Sequence, residues 1–504
     1  MILYKAATFS ERFPICKFKL LLAVVISLLT TFSYGQINTI HSDSATQTPD
    51  TLRILPVKPW RAVSLVGGVN LGVWAFDRYV INGEYAHISL KTMKNNLRTG
   101  FVWDNDKFVT NLFAHPYHGG LYFNAARSNG MGFWKSIPYA AGGSLMWEFF
   151  MENELPSFND FMATTIGGSC LGEITFRLSD LLIDDRSVGF ERFGREFLTT
   201  LISPARGINR LISGDATRFR STRGNTIADS MAVFYVSLGH SIYMDNEKRG
   251  SKDFANTLTY DISLYYGFPF EEAMYRPYDY FTLSLGGKFN ATQPFLSHAS
   301  ALAMLYAYHI PLKSERKKLI VGAFQHLNYY VLNSDTNHVT LYPYKISEAA
   351  SVGPGLLYRQ TFKRNSTRFM GSFHLSGILL GGSQTDYYFY DERDYNLGSG
   401  FSTKLNAEFI FKNKIRLYFN LEDYHIYSWI GDNPHTQIVF NPHTQGDVGR
   451  ADLSVLRFGL NITINKHFLI SNEINFNHRK STYKYFPEIE HSVYENKVTL
   501  GYLI

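Results

Sequence analysis

The second half of the chain alternates apolar and polar side chains with a period of two, in segments long enough to cross a bilayer obliquely. Leu258, Tyr260, Ile262, Leu264, Tyr266 and Phe268 alternate with Thr257, Thr259, Asp261, Ser263, Tyr265 and Gly267. Leu405, Ala407, Phe409 and Phe411 stand against Lys404, Asn406 and Glu408. Such segments predict strands beginning near residues 231, 257, 279, 299, 317, 349, 367, 399, 414, 452, 467 and 493. About twelve antiparallel strands suit a bacterial barrel with both termini on the periplasmic side. Successive side chains of a strand point to opposite faces, so Leu264 and Phe409 are expected to face outward and Thr259 and Asn406 inward. The inner face would carry Asp261, Lys288, Lys404, Glu408, Arg416, Glu422, Arg457 and Glu473. Charges of both signs fit a hydrated or helix-filled lumen better than the dry core of a soluble sandwich.

Composition agrees with this reading. Aromatic residues make up 16% of the chain, with 33 Tyr and 40 Phe. After the N-terminal segment no stretch offers the roughly 20 apolar residues that a membrane helix needs. That segment carries Lys5, Arg12, Lys17 and Lys19, then the apolar run Leu20 to Leu29, then Ser33-Tyr34-Gly35. It reads as a cleavable signal peptide that leaves a mature chain beginning near Gln36. Cys16 leaves with it, so the remaining Cys170 can form neither an intramolecular disulfide nor part of a cysteine-rich metal framework. The formal charge falls from +6 to +3 when Lys5, Arg12, Lys17, Lys19 and Glu11 are removed, and nothing suggests a nucleic-acid partner.

Between Pro59 and Gly214 the period is helical, with breaks at His115-Pro116, Gly130, Pro138, Pro156 and Gly189. Helices are predicted over Phe133 to Met151, over Phe158 to Leu182, and over Arg192 to Ile212 with a kink at Pro204. Ser157 is a helix cap, with Asp160 placed to reach back to it. Gly168 and Gly172 would let a second helix approach closely. The expected fold is therefore an α+β membrane protein, a helical region followed by a transmembrane β-barrel. Its expected divisions are 1–35 signal peptide, 36–58 flexible mature N-terminus, 59–225 helical plug or periplasmic cap, and 226–504 barrel.

Within the helical region, His115-Pro116-Tyr117-His118-Gly119, Tyr122 to Arg127, Gly143 to Glu148, Pro156 to Asp160 and Gly172-Glu173 together resemble the bacterial family DUF3943, a domain of unknown function. The resemblance covers roughly the 160 residues before the barrel and implies export and a helix-then-barrel layout, but no activity. Its motif positions include Arg127, Trp147, Asn159, Asp160 and Glu173.

The candidates for chemistry are few. His115 and His118, with Glu148 and Glu152 one helical turn apart, bring imidazoles and carboxylates that can bind a divalent metal or move protons. Against this, His115-Pro116 can simply shape a turn, Glu148 can pair with Arg127, and Asp160 can serve as a cap. His374 and Ser376, two apart on one strand, share a face as a hydrolase base and nucleophile would. Phe369, Phe373, Leu375 and Leu379 take the other face, which turns His374 and Ser376 into the lumen, away from lipid. Arg206, Arg210, Arg218, Arg220 and Arg223 can meet phospholipid head groups or form a solvated linker. No cofactor or metal is assigned.

The expectation is a non-enzymatic outer-membrane barrel, structural or handling a small ligand, with outer-membrane lipids and the barrel-assembly machinery as partners. The alternatives are an enzyme acting on an envelope lipid or glycan, and a scaffold for an envelope complex. The connections Asp245 to Asn256 and His435 to Asp447 are long and polar enough for recognition.

Overall fold

The computed structural model describes residues 52–103, 107–227, 232–245, 255–270, 276–289, 293–333, 344–362, 366–388, 394–431 and 446–504. The expected signal peptide, residues 36–51 of the expected 36–58 segment, and most of the two long polar connections lie outside them. A helical region precedes a closed antiparallel barrel of twelve strands.

The helices are α1 (Pro59–Phe76), α2 (Leu90–Thr99), α3 (His115–Arg127), α4 (Phe133–Phe150), α5 (Phe158–Met162), α6 (Gly168–Leu182), α7 (Gly189–Ile202) and α8 (Pro204–Ser213). The expected kink at Pro204 is a full break, with Ser203 non-helical between α7 and α8. Single π-helical segments, Thr110–Ala114 and Ala163–Gly167, lead into α3 and α6. α3 and α6 meet backbone to backbone. A Cβ on Gly119 would lie 1.7 Å from the Thr164 carbonyl oxygen, and one on Gly168 would lie 2.6 Å from Gly119. Gly120 faces Gly172 in the same contact, at 3.2 Å from a built Cβ to the backbone nitrogen.

The strands are β1 (Ala232–Asp245), β2 (Ala255–Tyr266), β3 (Phe281–Lys288), β4 (His298–Ile310), β5 (Lys317–Leu332) and β6 (Tyr344–Thr361). β7 (Arg368–Gln384), β8 (Tyr395–Phe411), β9 (Ile415–Ser428), β10 (Gly449–Thr463), β11 (Phe468–Tyr483) and β12 (Ile489–Leu503) complete the ring. β1 pairs with β12 from Tyr235 opposite Leu503 to Asp245 opposite Val493, so the sheet has no free edge.

The two faces of the wall are fixed by contacts that skip strands. Tyr330 of β5 reaches Glu422 of β9 and Arg457 of β10, which is possible only through the interior. Lys288 with Glu495, Lys404 with Glu348, and Lys497 with Asp261 and Glu473 share that inner face. The charged set expected inside is inside, and it is internally paired.

The helical region packs against the outward face of the barrel wall. Every described barrel side chain packed in its apolar clusters lies on or at bulges of the opposite, outward face. One cluster joins Tyr122, Phe123, Cys170 and Ile174 to Leu264, Tyr266, Phe281, Ala301, Ala303 and Leu327. A second joins Phe108, Leu112 and Ala163 to Ala299, Tyr329, Val331, Leu380, Tyr395 and Leu397. The small side chains of Ala299, Ala301 and Ala303 let the helices lie close to the wall, while the lumen is already occupied by the strands' own charged and aromatic groups. Leu264 consequently faces outward but is buried beneath the helices, whereas Phe409 is exposed.

Gly168→Ala should force α3 and α6 apart and cost about 1 to 3 kcal/mol as an overpacked contact. Gly142→Ala, with nothing within 4 Å of its added methyl, should stabilise α4 by up to about 1 kcal/mol. Thermal unfolding of the detergent-solubilised protein distinguishes the two, and equal effects would contradict the close helix contact.

Candidate functional site

The four residues expected to cooperate separate into different environments. His115 opens α3, where Pro116 sits in the first turn and has no amide to leave unpaired. Glu148 lies in the last turn of α4 and accepts from the Ser157 amide at 2.7 Å, which fastens the end of α4 to the start of α5. Ser157 caps α5 by accepting from the Asp160 amide at 3.2 Å. The Asp160 carboxylate stands 3.4 Å from the His115 Nε2 and accepts from the Asn159 amide group at 3.0 Å. His115, Glu148 and Asp160 therefore converge, each with one ligating atom, all within 4.8 Å of one another.

His118 and Glu152 do not join them. His118 Nε2 lies 2.8 Å from the Tyr122 hydroxyl, and its ring stands edge-on to Trp147. Burial, reinforced by His115, pushes the His118 imidazole down to about 3 and keeps it neutral. Tyr122 in turn donates to Asn70. Glu152 accepts from the Trp147 indole at 3.0 Å, and Asn96 donates to the backbone carbonyls of Glu148 and Glu152. The pairing expected between Glu148 and Arg127 is not formed. Arg127 instead makes a two-pronged contact with Glu173, at 2.6 and 3.0 Å, because Glu173 faces it across the α3–α6 interface.

Glu173 also accepts from Arg177, whose guanidinium reaches Asp279 and the Pro277 carbonyl beside the barrel. Farther along, Asp180 binds Arg206 and accepts from the Thr226 and Ile227 amides. Asp185 gathers Arg53, Arg192, Arg210 and Arg220. The arginines read as head-group contacts are thus mostly turned inward: Arg206 and Arg210 are buried, and Arg223 donates to the Leu181 and Ile183 carbonyls. Arg218 is exposed, 3.7 Å from Asp215. Sequence spacing gave no sign of this network, because its acids, on α6 and just after it, meet arginines drawn from α3, α6, α7, α8 and the segments before α1 and after α8.

His374 and Ser376 both point into the lumen on β7, buried beside His326. Neither imidazole nitrogen of His374 nor the Ser376 hydroxyl has a hydrogen-bond partner among the described residues, so they do not form a base–nucleophile pair.

Residues 100–205 match the family described as Domain of unknown function (DUF3943). His115, Glu148, Asp160, Arg127 and Glu173 all fall within the DUF3943 match. No curated protein matches the chain. Among solved structures, the NanC porin is similar at 9% identity, over 52% of this chain and 98% of that one, with a TM-score of 0.25. An outer membrane channel from Pseudomonas putida F1 is similar at 11% identity, over 55% and 96%, with a TM-score of 0.29. The Pseudomonas putida toluene transporter TodX is similar at 9% identity, over 55% and 90%, with a TM-score of 0.21.

Arg127→Ala should leave the buried Glu173 with Arg177 as its remaining cation among the described residues and cost about 3 to 5 kcal/mol. Arg218→Ala should change stability by less than about 0.5 kcal/mol. Chemical unfolding curves for the two variants check this, and an unchanged midpoint for Arg127→Ala would contradict the assigned pairing.

Proposed function

We propose that this chain is an outer-membrane protein whose barrel is a closed anchor, and whose helical domain, held on the barrel's outward wall, is the part that meets a ligand. The contact that carries this reading is the bridge across the lumen. Arg457 donates to Glu422 at 2.7 Å and to the Tyr330 hydroxyl at 3.1 Å, joining opposite walls. Leu332, Tyr344, Tyr243 and Val493 pack together in a second crossing nearer the β5–β6 connection. A lumen filled in this way supports anchoring over free diffusion of solutes.

Insertion in a membrane is supported by the exposed outward side chains Leu238, Leu258, Phe373, Leu405, Phe458 and Leu500, combined with complete backbone pairing around the ring. No helix among the described residues is long and apolar enough to cross a membrane. α7 exposes Phe190, Phe193, Phe197 and Leu201 along one side, the pattern of a helix lying in a lipid interface. Export through residues 1–35, insertion by the barrel-assembly machinery, contact with outer-membrane lipids and a small ligand reached from the membrane side belong to the same reading. A second reading, an enzyme acting on an envelope lipid or glycan, is favoured by the convergence of His115, Glu148 and Asp160 outside the lumen.

In planar bilayers the purified protein should show no steady conductance, and a stable porin-sized opening would overturn the anchor reading. In cells it should fractionate with the outer membrane and shift in gel mobility on heating. Leu405→Arg, on the exposed outward face near the middle of β8, should impair insertion by about 2 to 4 kcal/mol, while Asn406→Arg on the lumen side should be tolerated. Equal yields of folded barrel for both variants would count against a lipid-facing Leu405.

A further inference from the structure

We propose that His115, Glu148 and Asp160 form a binding site for a divalent first-row transition metal, with Zn2+ as the ion to test. The three side chains come from three different helices, α3, α4 and α5, yet their ligating atoms lie within 4.8 Å of one another. Neutral imidazole with two carboxylates is a donor set suited to a metal such as Zn2+, Mn2+ or Fe2+, and three protein donors leave a position for water or a ligand.

The surroundings orient each donor as an outer shell of a metal centre does. Thr164 Oγ1 lies 3.4 Å from His115 Nδ1, on the far side of the ring from the Nε2 that faces Asp160. Asn159 donates to one oxygen of Asp160, and the Ser157 amide donates to one oxygen of Glu148. Each carboxylate therefore has one oxygen fastened by the chain. Two π-helical segments flank the site, Thr110–Ala114 immediately before His115 and Ala163–Gly167 shortly after Asp160. An inserted residue of this kind rotates the side chains that follow it, and such segments occur often at functional sites. The packing of α3 on α6 through Gly119 and Gly168 then fixes His115 relative to the α5 end of the same helical run. The inference stands on the cluster's own geometry and does not depend on the anchor reading of the barrel.

The experiment uses the full-length protein in detergent, stripped with a chelator and titrated with Zn2+ by calorimetry, and with Co2+ while its visible ligand-field absorption is recorded. One Zn2+ per chain is expected, together with Co2+ bands of a low-coordinate nitrogen–oxygen site. His115→Ala, Glu148→Gln and Asp160→Asn should each weaken binding at least tenfold, and His87→Ala, at an exposed imidazole, should not. Thr164→Val, which keeps all three ligands, should weaken it by a smaller factor. Should a ligand variant fail to fold, the wild-type Co2+ spectrum and the Thr164→Val titration still decide the matter. Absence of stoichiometric Zn2+ binding, absence of Co2+ bands, or binding that survives in all the folded ligand variants overturns the proposal.

Discussion

Closure of the sheet between β1 and β12 is the constraint on which the rest of the molecule depends. A strand edge left open in hydrocarbon would expose unpaired amides and carbonyls, each costing several kcal/mol, and a closed ring has none. Closure also divides the side chains of every strand into two populations that cannot exchange. One population faces the interior, where Tyr330, Glu422 and Arg457 meet from opposite walls. The other faces outward, exposed on one part of the circumference and covered by helices on another.

The helical region uses that second population. Its docking surface on the wall is made of small, aliphatic and aromatic side chains, and docking buries Leu264 and Tyr266 as thoroughly as a soluble core would. Within the region, three glycine contacts replace side-chain packing, so α3 and α6 approach until their backbones touch. This contact brings Arg127 and Glu173 face to face and aligns the start of α3 with α5. Asp180 of α6 and Asp185 just after it then have arginines from α7 and α8 as partners, which converts a basic segment into an internal network.

The division between helices and barrel was legible because the two periods differ, 3.6 residues against 2. Predicted strand starts at 231, 317, 367 and 467 fall within one residue of the observed β1, β5, β7 and β11. The inward direction of His374 and Ser376 was equally legible, since Phe373 and Leu375 declare the other face. The site was legible only in part. His115 and Glu148 stood out as chemistry-bearing residues, but Asp160 read as a helix cap, and the structure adds a place for its carboxylate beside His115. Spacing alone grouped His118 and Glu152 with them, although Tyr122 and Trp147 hold those two elsewhere.

The sequence by itself determined the helical region, the strand count and the side of the wall on which each strand residue lies. These follow from local periodicity, which is a property of neighbouring residues. Only the tertiary structure decided where the helices sit, what fills the lumen and which acids meet which bases. The reason is physical: an outward Leu264 that faces lipid and an outward Leu264 that faces a helix have the same period, the same neighbours and the same hydrophobicity. The difference between them lies in a surface supplied by residues more than a hundred positions earlier or later in the chain, such as Tyr122 and Phe123.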